Sequence, residues 1–418
     1  MLVYRLLTDL AAPGLALYLW ARRAQGKEDP VRFHERFGQP SLPRPKGRLV
    51  WCHAASVGEA MSVLSLLNAI RQRFPSWRIL LTTGTVTSAS LLVQRLPAGV
   101  LHQYVPVDRW HYVSRFLDHW RPDVALFVES EMWPNMLTAL KKRNVPTALL
   151  NGRMSVRSFR RWSFFKTSVR KLLETFAFTL VQTDAEVGRF LVLGAKNVAC
   201  IGNLKYAAEP LPCDDHELDR LRVQAGNRPV WLIASTHPGE DEIALDVHAQ
   251  IKDRWPGLLT LIVPRHPARG EDILKLTQKF GLRGARRAVS KMIVPSTEVY
   301  IADTLGELGL FYRLAPIACL GGSFVWGGHN PIEPAQLGSA IIFGPNMTNF
   351  AEIADELLLN GAAIQVHSPS ELALRIEQLM SMPREAFALA NTARAFVEDR
   401  RGVLDGVMQL LGTWLDRK

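Results

Sequence analysis

PIACLGGSFVWGGHNPIEPA, residues 316–335, reads as a buried strand (316–320), a glycine-rich loop and the start of a helix opened by Asn330 and Pro331. Gly321, Gly322, Gly327 and Gly328 are placed to let backbone amides approach a ligand that side chains would block. The helix start after them offers unpaired N–H groups and a positive dipole end, which suits a phosphate. Glu333, one turn inside, is within reach of a sugar hydroxyl, so the stretch reads as a nucleotide-sugar site. The same residues also spell a capping box, with Asn330 as N-cap, Pro331 at N1 and Glu333 at N3. Capping alone does not require four glycines, Trp326 and His329 crowded ahead of it, and the binding reading stands first.

The strand–loop–helix unit recurs outward from this point. Strands are expected at 48–55, 78–83, 101–107, 124–129, 146–151, 178–183 and 198–202, with amphipathic segments such as 60–74 and 131–143 between them. A second series falls at 229–235, 258–264, 299–303, 316–322, 339–344 and 362–366, and the tail from about residue 383 reads as helix. Residues 204–228 are polar, with Pro210, Pro212, Asp214 and Asp215 and no long apolar run. The expected organisation is an N-terminal anchor over 1–24, a Rossmann-like domain over 25–204, a linker over 205–228 and a second Rossmann-like domain over 229–418. The fold class is therefore α/β: two doubly wound domains facing one another across a cleft, the GT-B architecture of glycosyltransferases. Ligands in such sheets bind beyond the carboxyl ends of the strands.

Composition agrees with a two-domain globular chain: 418 residues, 48% hydrophobic and 21% charged. The net charge of +11 points to an anionic partner, whether nucleic acid, a phosphorylated substrate or an acidic membrane. Cys52, Cys200, Cys213 and Cys319 are scattered without a CxxC pair, which argues against a disulfide framework or a zinc site and for a reducing compartment. Residues 1–20 are mostly apolar and close to spanning length, although Arg5, Asp9 and Pro13 weaken a simple spanning helix. Arg22, Arg23 and Lys27 follow, placing the bulk of the chain on the cytoplasmic side, and no small-residue cleavage site stands out. A retained anchor, spanning or monotopic, is expected; the alternative is an amphipathic helix docked on the protein itself.

Polar residues gather at the predicted strand ends. Ser56-Val57-Gly58-Glu59 follows the first strand, ESEMWPN (129–135) the fourth, and Thr236 to Glu240 the strand at 229–235. Arg265 and His266 follow the strand at 258–264, and Thr304 to Glu307 the strand at 299–303. Ser56-x-x-Glu59 and Thr304-x-x-Glu307 are also capping boxes, while Glu240, Asp241 and Glu242 complement a helix dipole. His53, His237, His266 and His329 match no metal-ligand spacing and no Asp-x-Asp occurs, so no metal is expected. The run NGRMSVRSFRRWSFFKTSVRK (151–171) interleaves seven basic residues with Phe159, Trp162, Phe164 and Phe165 and holds no acid. Beside an apolar N-terminus it reads as a surface for phosphorylated lipid rather than nucleic acid.

Taken in order, the apolar N-terminus, ASVGE (55–59), ESEMWPN (129–135), GNLKY (202–206), STHPGEDE (235–242), PRHPAR (264–269), LGEL (305–308), GGSFVWGGHNPIEPA (321–335) and GPNMTNF (344–350) resemble the Kdo transferases, which add 3-deoxy-D-manno-octulosonic acid to a lipid A precursor. The resemblance covers nearly the whole chain. It implies a GT-B fold, an anchor in the inner membrane facing the cytoplasm, CMP-Kdo as donor and a phosphorylated glucosamine disaccharide lipid, lipid IVA, as acceptor. By resemblance, Glu59 is the general base, Glu131 and Lys205 support the transition state, and Pro264, Arg265, Gly306, Glu307, Leu308, Asn330, Pro331, Ile332 and Glu333 bind CMP. Ser56 and Gly58, with Arg153, Arg157, Arg160 and Arg161, form the expected acceptor side, beside anionic lipids of the inner membrane and with no nucleic acid. The chemistry is coherent. A sugar hydroxyl needs a carboxylate to take its proton, the anomeric centre becomes cationic, and the departing phosphate needs cations and amides. CMP carries a single phosphate, so no cofactor and no diphosphate-bridging metal is expected, and direct displacement inverts the anomeric carbon. The rivals are a GT-B enzyme using a nucleoside diphosphate sugar, or a non-catalytic protein binding anionic lipid or RNA.

Overall fold

A computed structural model of the chain describes residues 2–416. Short apolar runs between amphipathic helices form parallel strands, which need cover on both faces. The first unit holds β1 (Leu49–His53), β2 (Arg78–Thr83), β3 (Val100–Tyr104), β4 (Val124–Val128), β5 (Thr147–Gly152), β6 (Phe176–Val181) and β7 (Val198–Cys200), all parallel, in the order β3-β2-β1-β4-β5-β6-β7. β1, β4 and β5 are buried along their whole length. Alternate residues feed two layers: Trp51 meets Phe116 and Phe127 ring to ring at 4.9 and 5.3 Å on one face, while Val50, Cys52 and Leu126 join the other.

The second unit holds β8 (Val230–Thr236), β9 (Leu259–Pro264), β10 (Gly284–Arg286), β11 (Val299–Ile301), β12 (Ile317–Leu320), β13 (Ala340–Phe343) and β14 (Ile364–Gln365), in the order β10-β11-β9-β8-β12-β13-β14. In both sheets the order reverses beside the unit's first strand. The switch points lie between β1 and β4 and between β8 and β12, where a crevice opens beyond the carboxyl ends.

Two expected boundaries are corrected. The break between units falls after Ala208, and the described residues from Arg400 onward return to the first unit. The segment read as a linker over 205–228 contains the helix Asp215–Ala225, which belongs to the second unit and buries Leu218, Leu221 and Ala225. Those three apolar positions are helically spaced but hidden among charges. The helix Val403–Leu415 buries Val403, Val407, Met408, Leu411 and Leu415 in the core beneath β1, and Trp77 Nε1 donates to the Leu415 carbonyl at 3.1 Å. Met1 and residues 417–418, included in the expected anchor and second domain, lie outside the described residues.

The N-terminus forms two helices, Leu2–Leu10 and Ala12–Ala24, and no described helix is long and apolar enough to cross a membrane. The polar residues of the first helix dock it onto its own unit. The Arg5 guanidinium sits 4.3 Å from the Trp110 ring centre, Asp9 pairs with Arg109 at 2.9 Å, and Thr8 accepts from Asn135 Nδ2 at 3.2 Å. Val3, Leu6, Leu7 and Leu10 point the other way, with Leu10 79% exposed. This amphipathic helix turns its polar side inward and its apolar side to solvent, the reverse of an ordinary surface helix.

Candidate active site

In the first unit, the switch point gathers the carboxylates that the sequence placed at strand ends. Ser56 caps the helix Val57–Arg73, its hydroxyl accepting from the Glu59 N–H at 3.3 Å. The Glu59 carboxylate turns back over this helix start, accepting from Ser56 Oγ at 2.8 Å and from the Ala55 N–H at 2.9 Å. Capping and the catalytic reading therefore share one geometry. A side chain at Gly58 would meet nothing within 4 Å, leaving open space before the first helical turn.

Across the switch point, Glu131 accepts from His53 Nε2 at 3.3 Å and from Trp133 Nε1. His53 is fully buried at the end of β1, and its Nδ1 lies 3.0 Å from Thr82 Oγ1. Glu129, the residue after β4, adopts a left-handed φ of +58° and pairs with Lys205 at 3.1 Å. Lys205 is held in turn: the Leu204 N–H donates to Asn151 Oδ1 at 3.0 Å, and Asn203 and Gln182 link back to the Asn151 carbonyl. Lys205 thus meets a carboxylate of the ESEMWPN segment, but Glu129 rather than Glu131.

The environments separate the two principal carboxylates. Burial pushes the Glu59 carboxyl above its usual range; the Ser56 hydrogen bond opposes this, and the nearby charges of Glu131 and Glu129 add to it. Burial also pushes Glu131 upward, but hydrogen bonds from His53 and Trp133 and the charge of His53 outweigh it and hold Glu131 low. Two carboxyls driven apart in this way are the pattern of one proton acceptor beside one fixed negative charge.

Of the residues expected on an acceptor side, Arg153 follows β5 next to these carboxylates; its N–H reaches the Glu129 carbonyl at 3.4 Å, and its carbonyl accepts from Ser130 Oγ at 2.8 Å. Arg157, Arg160 and Arg161 are exposed on the helix Val156–Ser163, which has no fully buried residue. Phe159 and Trp162 lean on the core, whereas Phe164 is 85% exposed.

In the second unit the expected donor residues lie at the carboxyl edges of three strands: Gly306–Leu308 follows β11, Pro264 and Arg265 close β9, and Asn330 to Glu333 follow β12. His237, outside the expected set, follows β8, which lies between β9 and β12. Arg265 is exposed, and among the described residues its guanidinium has no carboxylate partner. Glu307 does have one: the buried Arg287 donates to it through Nε at 2.7 Å and Nη2 at 2.5 Å, and reaches Glu217 at 2.7 Å. Its carboxylate holds the turn in place.

Three local expectations change. Glu307 is the residue before the helix Leu308–Leu314, not the third residue of a capping box with Thr304, although the two side chains hydrogen-bond. The helix after the glycine-rich loop runs only Ile332–Leu337 and has Pro331 at its cap. Asn330 Oδ1 instead accepts from the Ile332 N–H at 3.1 Å in a turn ahead of it. The glycines face the protein. A Cβ on Gly321 would sit 2.6 Å from the Ser235 carbonyl, one on Gly327 2.6 Å from Thr348 Oγ1, and one on Gly328 2.2 Å from Met347 Sδ. They let the loop fold against its own unit.

The residue that fixes this loop is Glu240, read from sequence only as a dipole partner. Fully buried, its carboxylate accepts N–H groups from Gly322 at 2.6 Å, Phe324 at 3.1 Å and His237 at 3.0 Å, joining the loops after β8 and β12. Glu240→Ala strands three N–H donors, that of Gly322 buried and those of His237 and Phe324 partly so, at about 1–3 kcal/mol each. We expect the second unit to melt about 10 °C or more lower; calorimetry measures this, and unchanged melting contradicts the assignment.

Residues 31–208 match the family model for 3-deoxy-D-manno-octulosonic-acid transferase (kdotransferase). The chain is 36% identical over 415 residues to a 3-deoxy-D-manno-octulosonic acid transferase from Rickettsia bellii, covering 98% of this chain and 99% of that one. A solved glycosyltransferase from Rickettsia africae superposes with a TM-score of 0.58 at 12% identity, covering 90% of this chain and all of that one. A UDP-GlcNAc 2-epimerase from Neisseria meningitidis gives 0.57 at 12% identity, over 87% and 99%. The last two show the fold: two sheets of seven parallel strands, as in GT-B glycosyltransferases.

Proposed function

The chain belongs to the Kdo transferase family of glycosyltransferases, and from that premise we propose that it transfers Kdo from CMP-Kdo to lipid IVA, with inversion and with Glu59 as the base. The observation that carries the proposal is the arrangement at the first switch point: the buried Glu59 turned back over the start of the helix Val57–Arg73, with Glu131 held by His53 and Trp133. It pushes Glu59 up and holds Glu131 down. A base with a raised pKa has the driving force to take a hydroxyl proton near neutrality. Glu131, kept charged, and the Glu129–Lys205 pair supply the fixed field in which the anomeric centre turns cationic.

The second unit supplies the anion-holding part, with Arg265 at its exposed edge. Arg265→Ala removes a charge-assisted contact to the CMP phosphate and is expected to weaken CMP binding by about 10- to 100-fold. Titration calorimetry checks this, with cytidine, which lacks the phosphate, as the control that stays unaffected.

The location we propose is the cytoplasmic face of the inner membrane, attached without crossing it. The outward apolar face of the first helix and the exposed Phe164 with Arg157, Arg160 and Arg161 fit a leaflet carrying anionic lipid. Leu6→Glu with Leu10→Glu should abolish sedimentation with vesicles containing anionic lipid and leave the melting temperature within a few degrees, since both side chains are exposed. Retained sedimentation at low salt would count against the helix as the attachment.

A further inference from the structure

His237 and His329 meet at the second switch point through Nε2 atoms 3.0 Å apart. Their planes differ by 4° and their ring centres lie 5.2 Å apart. That separation is close to the greatest a 3.0 Å Nε2–Nε2 contact permits, and it is reached only when the rings lie head to head in one plane. One ring therefore donates its Nε2–H to the other, and the two act as a single imidazole pair. Both are anchored: the His237 N–H is bound by Glu240, and Gly322 has no side chain where its Cβ would approach the His329 ring to 3.0 Å. Trp326 covers His237 at 5.4 Å between ring centres.

The surroundings of the pair are cationic. His266 lies 6.3 Å from His237 by ring centres, and Arg265 and Arg269 act on it from the same strand end. Of the acids, Glu240 is committed to backbone N–H groups, and Asp241 to Arg269 and Thr236. Burial, followed by Arg265 and the neighbouring histidines, pushes His329 down to about 4; burial, followed by His266, Arg265 and Arg269, lowers His237. Arg265, among the donor residues of the proposed reaction, is thus near enough to depress both rings. A phosphate placed among these cations cancels their repulsion and favours a proton on the pair.

We propose that His237 and His329 form one proton-holding unit, which takes up a proton as the donor's phosphate binds and hands it to the departing phosphate oxygen when the sugar–phosphate bond breaks. This rests on the CMP-sugar reading above. The electron pair of the breaking anomeric C–O bond stays on the phosphate oxygen, which takes the imidazolium proton. The new C–O bond forms to the acceptor oxygen, whose proton goes to Glu59. Charge that would otherwise build on the leaving phosphate is neutralised as it appears.

The test is calorimetric titration of the full-length protein with CMP near pH 7 in two buffers of different ionisation enthalpy, with cytidine in parallel. We expect CMP to bind with proton uptake and cytidine with none, and CMP affinity to fall by up to about tenfold per pH unit as the pair deprotonates. His237→Gln and His329→Gln should each abolish the uptake, and His237→Gln should lower kcat about 100-fold. CMP binding without proton uptake in the wild type overturns the proposal. So does uptake that persists in both variants, which places the proton on the phosphate itself. Failure of CMP to bind at all overturns the donor reading, and this proposal with it.

Discussion

Glu59→Gln is expected to lower kcat by about 100- to 10,000-fold while leaving CMP affinity unchanged and the fold intact. Glutamine keeps one oxygen to accept from the Ala55 N–H, and its amide N–H₂ donates to the Ser56 hydroxyl where the second carboxylate oxygen of Glu59 accepts from it, so the helix start is preserved and only the proton-accepting carboxylate is lost. The stability effect has a definite sign. The folded-state pKa of Glu59 is raised above its unfolded value, so its contribution to stability is complete below the unfolded pKa and is lost as pH rises through the folded pKa. At pH 7 to 8 the neutral glutamine escapes that loss, and the variant should melt as high as the wild type or higher. The difference should shrink as pH falls below the usual carboxylate range. Melting curves across pH, read beside turnover, separate the roles: a variant that is active but less stable returns Glu59 to capping alone.

Ending the chain at Asp399 is expected to unfold the first unit and spare the second. The deletion removes Val403, Val407, Met408, Leu411 and Leu415 from the core beneath β1. At about 1.5–3 kcal/mol per buried side chain the loss is roughly 10 kcal/mol before helix-ordering entropy is subtracted. That is comparable with the whole net stability of a domain, about 5–15 kcal/mol. Limited proteolysis should digest residues before Ala208 and leave a resistant fragment within Glu209–Asp399 that still binds CMP. A truncated protein with undiminished melting and protease resistance throughout contradicts this reading of the tail.

The tail was legible as helix but not as part of the first unit, because periodicity says which face is buried and not against which sheet. The alternation of apolar runs with helical segments reveals thirteen of the fourteen strands among the described residues. The missing one, β10, spans only Gly284–Arg286 and carries no apolar run. The strand-end motifs fall at both switch points: Glu131 and His237 follow β4 and β8 within three residues, Glu59 follows β1 by six, and Asn330 follows β12 by ten. Pairings were not legible. That Lys205 meets Glu129 depends on a left-handed φ at Glu129 and on the Asn151–Asn203 network, neither visible in residue type. Glu240 reads from sequence only as a dipole partner, and Arg287, in the turn after β10, carries no motif; both are fully buried, Glu240 accepting loop N–H groups and Arg287 held by Glu307 and Glu217, and charge type alone does not reveal such burial. The glycines of the 321–335 loop were recognised as special for the wrong partner: the atoms they make room for belong to the protein.

The most direct measurement is transfer of radiolabelled Kdo from CMP-Kdo, generated in situ, to lipid IVA by the full-length protein, with Glu59→Gln alongside. Labelled lipid from the wild type, and at least 100-fold less from a folded variant that still binds CMP, is the predicted result. No labelled lipid from the wild type contradicts the donor and acceptor proposed here, and equal product from both proteins contradicts Glu59 as the base.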